Sequence, residues 1–267
     1  MPKITKIEVQ KNNHERFNIY VDDAFALGIS MDTLVAFNIK KGDTIDSGQL
    51  KALGDREHVQ QAVNQAIQYL SFRKRTRKEI HTHLSRQGFE EDIVSVALAY
   101  CERHRFIDHR DYMISLKNTM LRTTDKGPER FRQKLVQAGV EPALIGEGVA
   151  LYEEEQDFDT IVQLAHKIMN QKQGPAAKVK LKVQHALQQK GYLHDTIFKV
   201  LDALDFTSDP EMVDNLLQRD LEKVYNKYQK KYEGKPLYMK TVEALLRKGY
   251  QYDHIQRKMM ESGIDYD

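Results

Sequence analysis

A single cysteine, Cys101, stands in a chain of 267 residues, so no intramolecular disulfide can form, and a reducing cytoplasm is the expected compartment. Tryptophan is absent, and no apolar run is long enough to span a bilayer, so no membrane contact is expected. The opening residues, MPKITKIEVQ, lack the apolar stretch and small-residue cleavage site of an export signal. There is no glycine-rich phosphate loop, no G-x-S-x-G elbow and no H-E-x-x-H pair. His81 and His83 lie two apart and point to different sides of a helix. Cys101 and His104 would make half of a zinc site with no second cysteine to complete it. The acidic residues Asp108, Asp111 and those from Glu153 to Asp159 could serve a metal-dependent nuclease, but helix capping and surface charge account for them. No catalytic residue, metal or cofactor is expected.

The net charge is only +2, yet the charges are segregated. Ser71 to Glu90 holds six Lys/Arg against two acids, and Glu141 to Thr160 holds seven acids and no Lys or Arg. Lys172 to Lys199 carries six Lys against Asp195, and Lys223 to Lys248 eight Lys/Arg against two Glu. Basic blocks separated by an acidic one predict a surface that addresses phosphates, or an acidic partner, at several points.

The first fifty-odd residues read as a small β-meander from about Lys3 to Ser30. KITKIEVQ alternates around Ile4 and Val9, KNNHE breaks the pattern, and Phe17, Ile19 and Val21 resume it before an Asp22-Asp23 turn. A short helix over Asp32 to Phe37 follows. From Asp55 onward the period changes to that of a helix. Val59, Val63, Ile67 and Leu70 mark one face. Thr76-x-x-Glu79 is a capping box that opens the next helix, continued by Ile80 and Leu84, and Val94, Leu98 and Cys101 mark a third.

That three-helix unit recurs. LSRQGF, LVQAGV, LQQKGY and LLRKGY each place a Leu four residues before a glycine (Gly88, Gly139, Gly191 and Gly249) and an apolar or aromatic residue after it. Six residues beyond each glycine stands Val94, Ile145, Ile197 or Ile255. Each glycine is expected to end its helix with positive φ, letting the next residue fold back on the helix. Gly127-Pro128, Gly174-Pro175 and Pro236 stand near the starts of later second helices. Asp108, Asp157 and Ser208-Asp209-Pro210 start the first helices of units two, three and four. The predicted fold is mainly α: four tandem three-helix modules in an elongated, curved array behind a β-rich cap. The expected boundaries are 1–54 for the cap and 55–106, 107–155, 156–206 and 207–267 for the modules.

The stretch from Tyr69 to Ile80, with Leu84 to Gly88, resembles the signature of the bacterial RecX regulatory family, A-x-x-x-L-x-x-R-x-[RK]-[ST]-x-x-E-[LI]. Ala66, Leu70, Arg73, Arg75, Thr76, Glu79 and Ile80 fill it. His109-Arg110-Asp111-Tyr112 is similar to the start of the family's next helix. The resemblance implies a protein that binds the RecA recombinase filament on single-stranded DNA; a monomer is expected, with double-stranded DNA as a further partner. The resemblance further implies modulation, mostly inhibition, of the filament's ATP hydrolysis, strand exchange and co-protease action.

The candidate binding residues fall in three groups. Arg73, Lys74, Arg75, Arg77 and Lys78 crowd one helix junction, where mutual repulsion would be relieved by phosphates or an acidic partner. Lys178, Lys180 and Lys182 alternate with Val179, Leu181 and Val183. Lys223, Lys227, Lys230 and Lys231 follow the spacing of one helix face, with Tyr225, Tyr228 and Tyr232 nearby to stack on bases or to cover a core edge. Two other readings of the whole chain stay open: a helical DNA-binding protein acting on nucleic acid alone, and a scaffold for acidic partners.

Overall fold

The computed structural model describes residues 2–207 and 209–265; Ser208, named above as part of a helix start, lies outside them. Three antiparallel strands, β1 (Ile4–Gln10), β2 (Asn13–Val21) and β3 (Ala24–Ser30), lie in the order β1-β2-β3. Ile19 is the hub, paired with Ile7 on one side and Leu27 on the other. Asp22 and Asp23 both have positive φ (47° and 64°), as a two-residue hairpin loop requires. Val9 is half exposed (50%), because the register shifts between Val9 and Gln10.

Thirteen helices follow among the described residues. Helix α1 (Met31–Ala36) is short, and α2 (Ser47–Phe72) is the longest. Helix α2 starts at an Asp46-x-x-Gln49 capping box, so the expected boundary between residues 54 and 55 falls inside it. Glu57 of α2 ties the cap to the helices. It is only 3% exposed and accepts hydrogen bonds from Ser30 N (2.8 Å), Thr33 Oγ1 (2.9 Å), Gln61 Nε2 (3.2 Å) and Arg16 Nη1 (2.8 Å). A buried carboxylate persists only when so fully satisfied. Burial alone would raise its pKa, but these donors and the Arg16 charge hold it below the usual carboxylate range.

The first module is completed by α3 (Arg77–Arg86) and α4 (Glu91–Arg103). Its core gathers Ala62, Val63, Ala66, Ile80, Leu84, Val94, Leu98 and Cys101. Ile67, expected on this face, is 37% exposed, since Ala62 and Ala66 occupy the inward positions and let α4 approach closely. The second module comprises α5 (His109–Thr123), α6 (Pro128–Ala138) and α7 (Pro142–Glu155). The third comprises α8 (Phe158–Asn170), α9 (Ala176–Lys190) and α10 (His194–Asp202). The fourth comprises α11 (Pro210–Tyr228), α12 (Gly234–Arg247) and α13 (Tyr252–Glu261). Modules three and four each have their own core, built on Val183, Leu187 and Ile197 and on Leu221, Leu245 and Ile255 respectively. Pro236 stands two residues into α12, inside its first turn, where its missing N–H costs no helical bond. The chain divides into two compact units, Met1–Asn118 with Gln133–Gly148 and Thr119–Arg132 with Val149–Asp267, so each helix of module two contributes to both.

The second helix of every module ends in the same way. Gly88, Gly139, Gly191 and Gly249 have φ of +91°, +76°, +89° and +92°. The residue after each glycine donates its N–H to the Leu five residues back: Phe89 to Leu84 (3.3 Å), Val140 to Leu135 (3.1 Å), Tyr192 to Leu187 (3.2 Å) and Tyr250 to Leu245 (3.3 Å). This is the Schellman closure, and it explains the repeat's spacing: the bond fixes both apolar positions relative to the glycine.

Three of these glycines also receive a neighbour. The N-terminal turn of the preceding module's second helix lays a cationic stem across each. A methyl group on Gly139 would sit 2.9 Å from Lys78 Cδ, on Gly191 2.8 Å from both Arg130 Cγ and Arg130 N, and on Gly249 3.3 Å from Lys178 Cβ. The incoming turns also donate to carbonyls just before the glycine. Thr76 Oγ1 reaches Ala138 O (2.6 Å), Gly127 N reaches Lys190 O (2.9 Å), Arg130 Nη2 reaches Gln189 O (2.8 Å) and Lys178 Nζ reaches Arg247 O (3.2 Å). These carbonyls have no acceptor role left inside their own helix, and a positive helix start faces a negative helix end.

Alanine substitution of the four glycines should therefore give unequal losses. Gly88→Ala meets no atom and should cost about 1 kcal/mol from backbone strain alone, whereas Gly191→Ala adds a clash with backbone and should cost about 2–4 kcal/mol. Denaturant titration of the four variants checks the order, and equal losses would remove the docking role. Glu57→Gln should cost about 2–4 kcal/mol near neutral pH by leaving Arg16 unmatched. Because the folded Glu57 pKa is depressed, its contribution is present above the unfolded value and lost as pH falls through the folded one. The gap in midpoint between wild type and variant, followed by denaturation across acid pH, should close on that descent.

Candidate nucleic-acid interface

Arg73 caps α2 in extended conformation, and residues 74–76 run to the α3 capping box, so five cations are delivered within one turn and a half of chain. Most are answered within the protein. Arg73 pairs with Glu79 (2.6 Å), Lys74 with Asp111, and Arg77 with Glu102 (2.8 Å). The Arg75 guanidinium lies 3.9 Å from the centre of the Tyr69 ring, with its Nε buried and unpartnered, and Tyr69 is also stacked with His83 at 3.9 Å. The expected repulsion is thus relieved locally, by Glu79, Glu102 and Asp111. Lys78 has no carboxylate within ion-pair distance among the described residues; its stem lies on Gly139.

His109 links this junction to module two. A backbone N–H can only donate, so the 3.0 Å contact from Arg77 N makes His109 Nε2 the acceptor, and Nδ1–H donates to Glu141 (2.8 Å). Although burial opposes it, this bond holds the Glu141 carboxyl below its ordinary value.

On α9 the lysines do different things. Lys178 caps the end of α12, Lys182 donates to Gln173 O (2.9 Å), and Lys180 stands 3.8 Å from Asp202. Val179 and Val183 are buried, but Leu181 is 56% exposed, so the alternation in sequence does not mark a face. Lys223 and Lys227 share a face of α11. The helix ends at Tyr228, however, so Lys230 and Lys231 stand in the turn beyond it rather than on that face. No carboxylate lies within ion-pair distance of Lys223, Lys227, Lys230 or Lys231 among the described residues. Tyr228 packs on the module-four core, Lys227 lies over its ring (5.6 Å), and Tyr232 is 6.1 Å from it, partly exposed. This turn is the most open cationic surface of the three groups.

Sequence reasoning missed Arg130, which docks on Gly191, and the clamp on Asp125. There Lys190 pairs with the carboxylate, holding it below its ordinary pKa, while Tyr192 Oη donates to the Asp125 carbonyl (3.2 Å). The available signal was a basic residue in the first turn of each second helix. Cys101 is buried in the first core, and burial pushes its thiol up to about 11, so it stays protonated. No cluster of three or more potential metal ligands occurs among the described residues, nor any helix long and apolar enough to cross a membrane.

Comparison with known proteins gives this architecture a family. The model of the regulatory protein RecX N-terminal domain matches residues 2–46, that of the RecX first three-helix domain 62–101, and that of the RecX third three-helix domain both 154–201 and 213–259. The regulatory protein RecX of Staphylococcus carnosus (strain TM300) is 53% identical over 264 residues, covering 99% of both chains. The chain belongs to the RecX family. The RecX of Staphylococcus haemolyticus (strain JCSC1435) is 50% identical, again over 99% of both chains, and that of Staphylococcus aureus (strain N315) is 52% identical over 99% of this chain and 97% of its own. A crystal structure of regulatory protein RecX aligns with a TM-score of 0.62 at 28% identity, covering 76% of this chain and all of the other. The structure of RecX from Lactobacillus salivarius aligns at 0.52 and 26%, covering 57% and 99%. RecX regulatory proteins are non-catalytic. The double match of one RecX three-helix model to the last two modules also accounts for the repeat seen around Gly191 and Gly249.

Proposed function

We propose that this RecX protein binds the RecA recombinase filament on single-stranded DNA and lowers its ATP hydrolysis, strand exchange and co-protease activity. The observation that carries this reading is similarity to RecX regulatory proteins along practically the whole chain, cap and modules alike. The chain acts by occupancy. Modules that follow one another on a single chain present several weak contacts at once, and each contact raises the effective concentration of the next.

The contact we favour is the α11–α12 turn, where Lys223, Lys227, Lys230 and Lys231 have no carboxylate within ion-pair distance among the described residues, although Lys223 feels Asp220 one turn away, and can neutralise phosphates or acidic side chains. Lys78, Lys178 and Lys182 are secondary contacts, since each already has a structural task. Arg73, Lys74, Arg75, Arg77 and Lys180 would engage a partner only by exchanging an internal acid or ring for it.

Titrating the protein below stoichiometry into a preformed RecA–single-stranded-DNA filament should lower ATP hydrolysis while DNA remains in excess. Reversing Lys227, Lys230 and Lys231 to Glu should raise the half-inhibitory concentration about tenfold or more at low salt, with unchanged thermal stability. Reversing Arg73, Arg75 and Arg77 should weaken inhibition and stability together, because it breaks internal pairs. Inhibition that sets in only when the DNA itself is saturated would replace this reading with direct DNA binding.

A further inference from the structure

The three joints between second helices use up Gly139, Gly191 and Gly249 on one side and the N-terminal turns of α3, α6 and α9 on the other. Two halves are left over. Gly88 has the same left-handed backbone and the same Schellman closure, yet a methyl built on it meets nothing within 4 Å. Beside it lies a groove of about 830 Å³ whose lining includes Asp55, His58, Gln87, Glu90 and Asp92. The carbonyls of Arg86 and Gln87 stand at the positions that accept from the neighbouring turn at the other three glycines. The second unfilled half is the N-terminal turn of α12. Its N-cap, Glu233, makes no side-chain capping bond, and Gly234 has open space around it. Lys235 is exposed and holds the same second position in its helix that Lys78 holds in α3.

We infer that copies of this chain associate head to tail, the N-terminal turn of α12 in one copy seating Lys235 across Gly88 of the next. The internal joints define what fits there: a helix start bearing a long cation, donating to the last carbonyls before a left-handed glycine. Charge agrees with geometry. The groove carries Asp55, Glu90 and Asp92 against Lys51, whereas the α12 turn carries Lys230, Lys231 and Lys235 against Glu233. Glu90 also stands two residues after its glycine, as Glu141 does in module two, where Glu141 receives the relay from Arg77 through His109. Because the two halves are different surfaces, the contact is heterologous and each added copy leaves one of each exposed. A joint this small is transient in dilute solution and grows with concentration. The inference does not rest on the filament reading and requires neither DNA nor a recombinase.

Sedimentation equilibrium of nucleic-acid-free protein over a wide concentration range tests it. The weight-average mass of the wild type should rise steadily beyond that of one chain. Lys235→Glu should raise the dissociation constant about tenfold or more, as should the pair Glu90→Lys and Asp92→Lys, all exposed positions. The pair also removes acids from the start of α4 and should lower the thermal midpoint slightly, whereas Lys235→Glu, at the start of α12, should not lower it. Mixing the two variants should restore association, since opposite charges then meet at the altered joint and native charges at the other. A wild type that stays at one chain's mass up to its solubility limit overturns the inference. So does association that both variants leave unchanged, which would place the contact elsewhere.

Discussion

The seating of a cationic side-chain stem across a left-handed glycine is the contact on which the helical part of this protein depends. A helix end is normally a liability, with carbonyls that lack partners and a concentration of negative partial charge. Here each such end is turned by glycine so that its carbonyls face outward together, and the start of another helix is brought against them. The aliphatic part of Lys78, Arg130 or Lys178 fills the space that a Cβ would have taken, and Arg130 and Lys178 carry their charged heads to the carbonyls beyond. Backbone geometry, packing and electrostatics are satisfied by one arrangement, and it is met three times.

Much of this was legible in the sequence and some was not, for reasons that differ. The Leu-to-glycine spacing could be read because the Schellman closure is local: Leu84, Gly88 and Phe89 are bound to one another within six residues. The meander could be read because Ile4, Phe17, Ile19 and Val21 alternate. The start of α2 was available in Asp46-x-x-Gln49 but was obscured by Gly48 and Gly54, which weaken a helical pattern without breaking it. The Glu57 network could not be read at all, since Arg16, Ser30 and Thr33 reach it from up to 41 residues away. The partners of Arg77 and Lys74 are hidden in the same way. A run of cations announces itself in sequence, whereas the acids that neutralise it are scattered across Glu79, Glu102 and Asp111.

That last point changes how the basic junction is understood. Its residues are structural first: they stitch α3 to α4 and α5 and carry the stem that docks on module two. The more open charge lies at the far end of the sequence, on lysines that do not share one helix face and so attract less notice. Local charge density is a poor guide to availability when burial and pairing decide which cation still seeks a partner.

A joint made from backbone carbonyls, a glycine and any long cationic stem asks almost nothing of the rest of the module that supplies each half. Duplicating one module within such a gene would add one complete joint and leave the outer ends unaltered, and deleting one would subtract a joint as cleanly. Substitutions in the glycine, in the first turn of the second helix, or in the pairs that cross beside the joint, such as Lys74 with Asp111 and Lys190 with Asp125, would be felt next door. The length of such a protein is therefore free to change by whole modules, while the surfaces of the individual modules diverge independently.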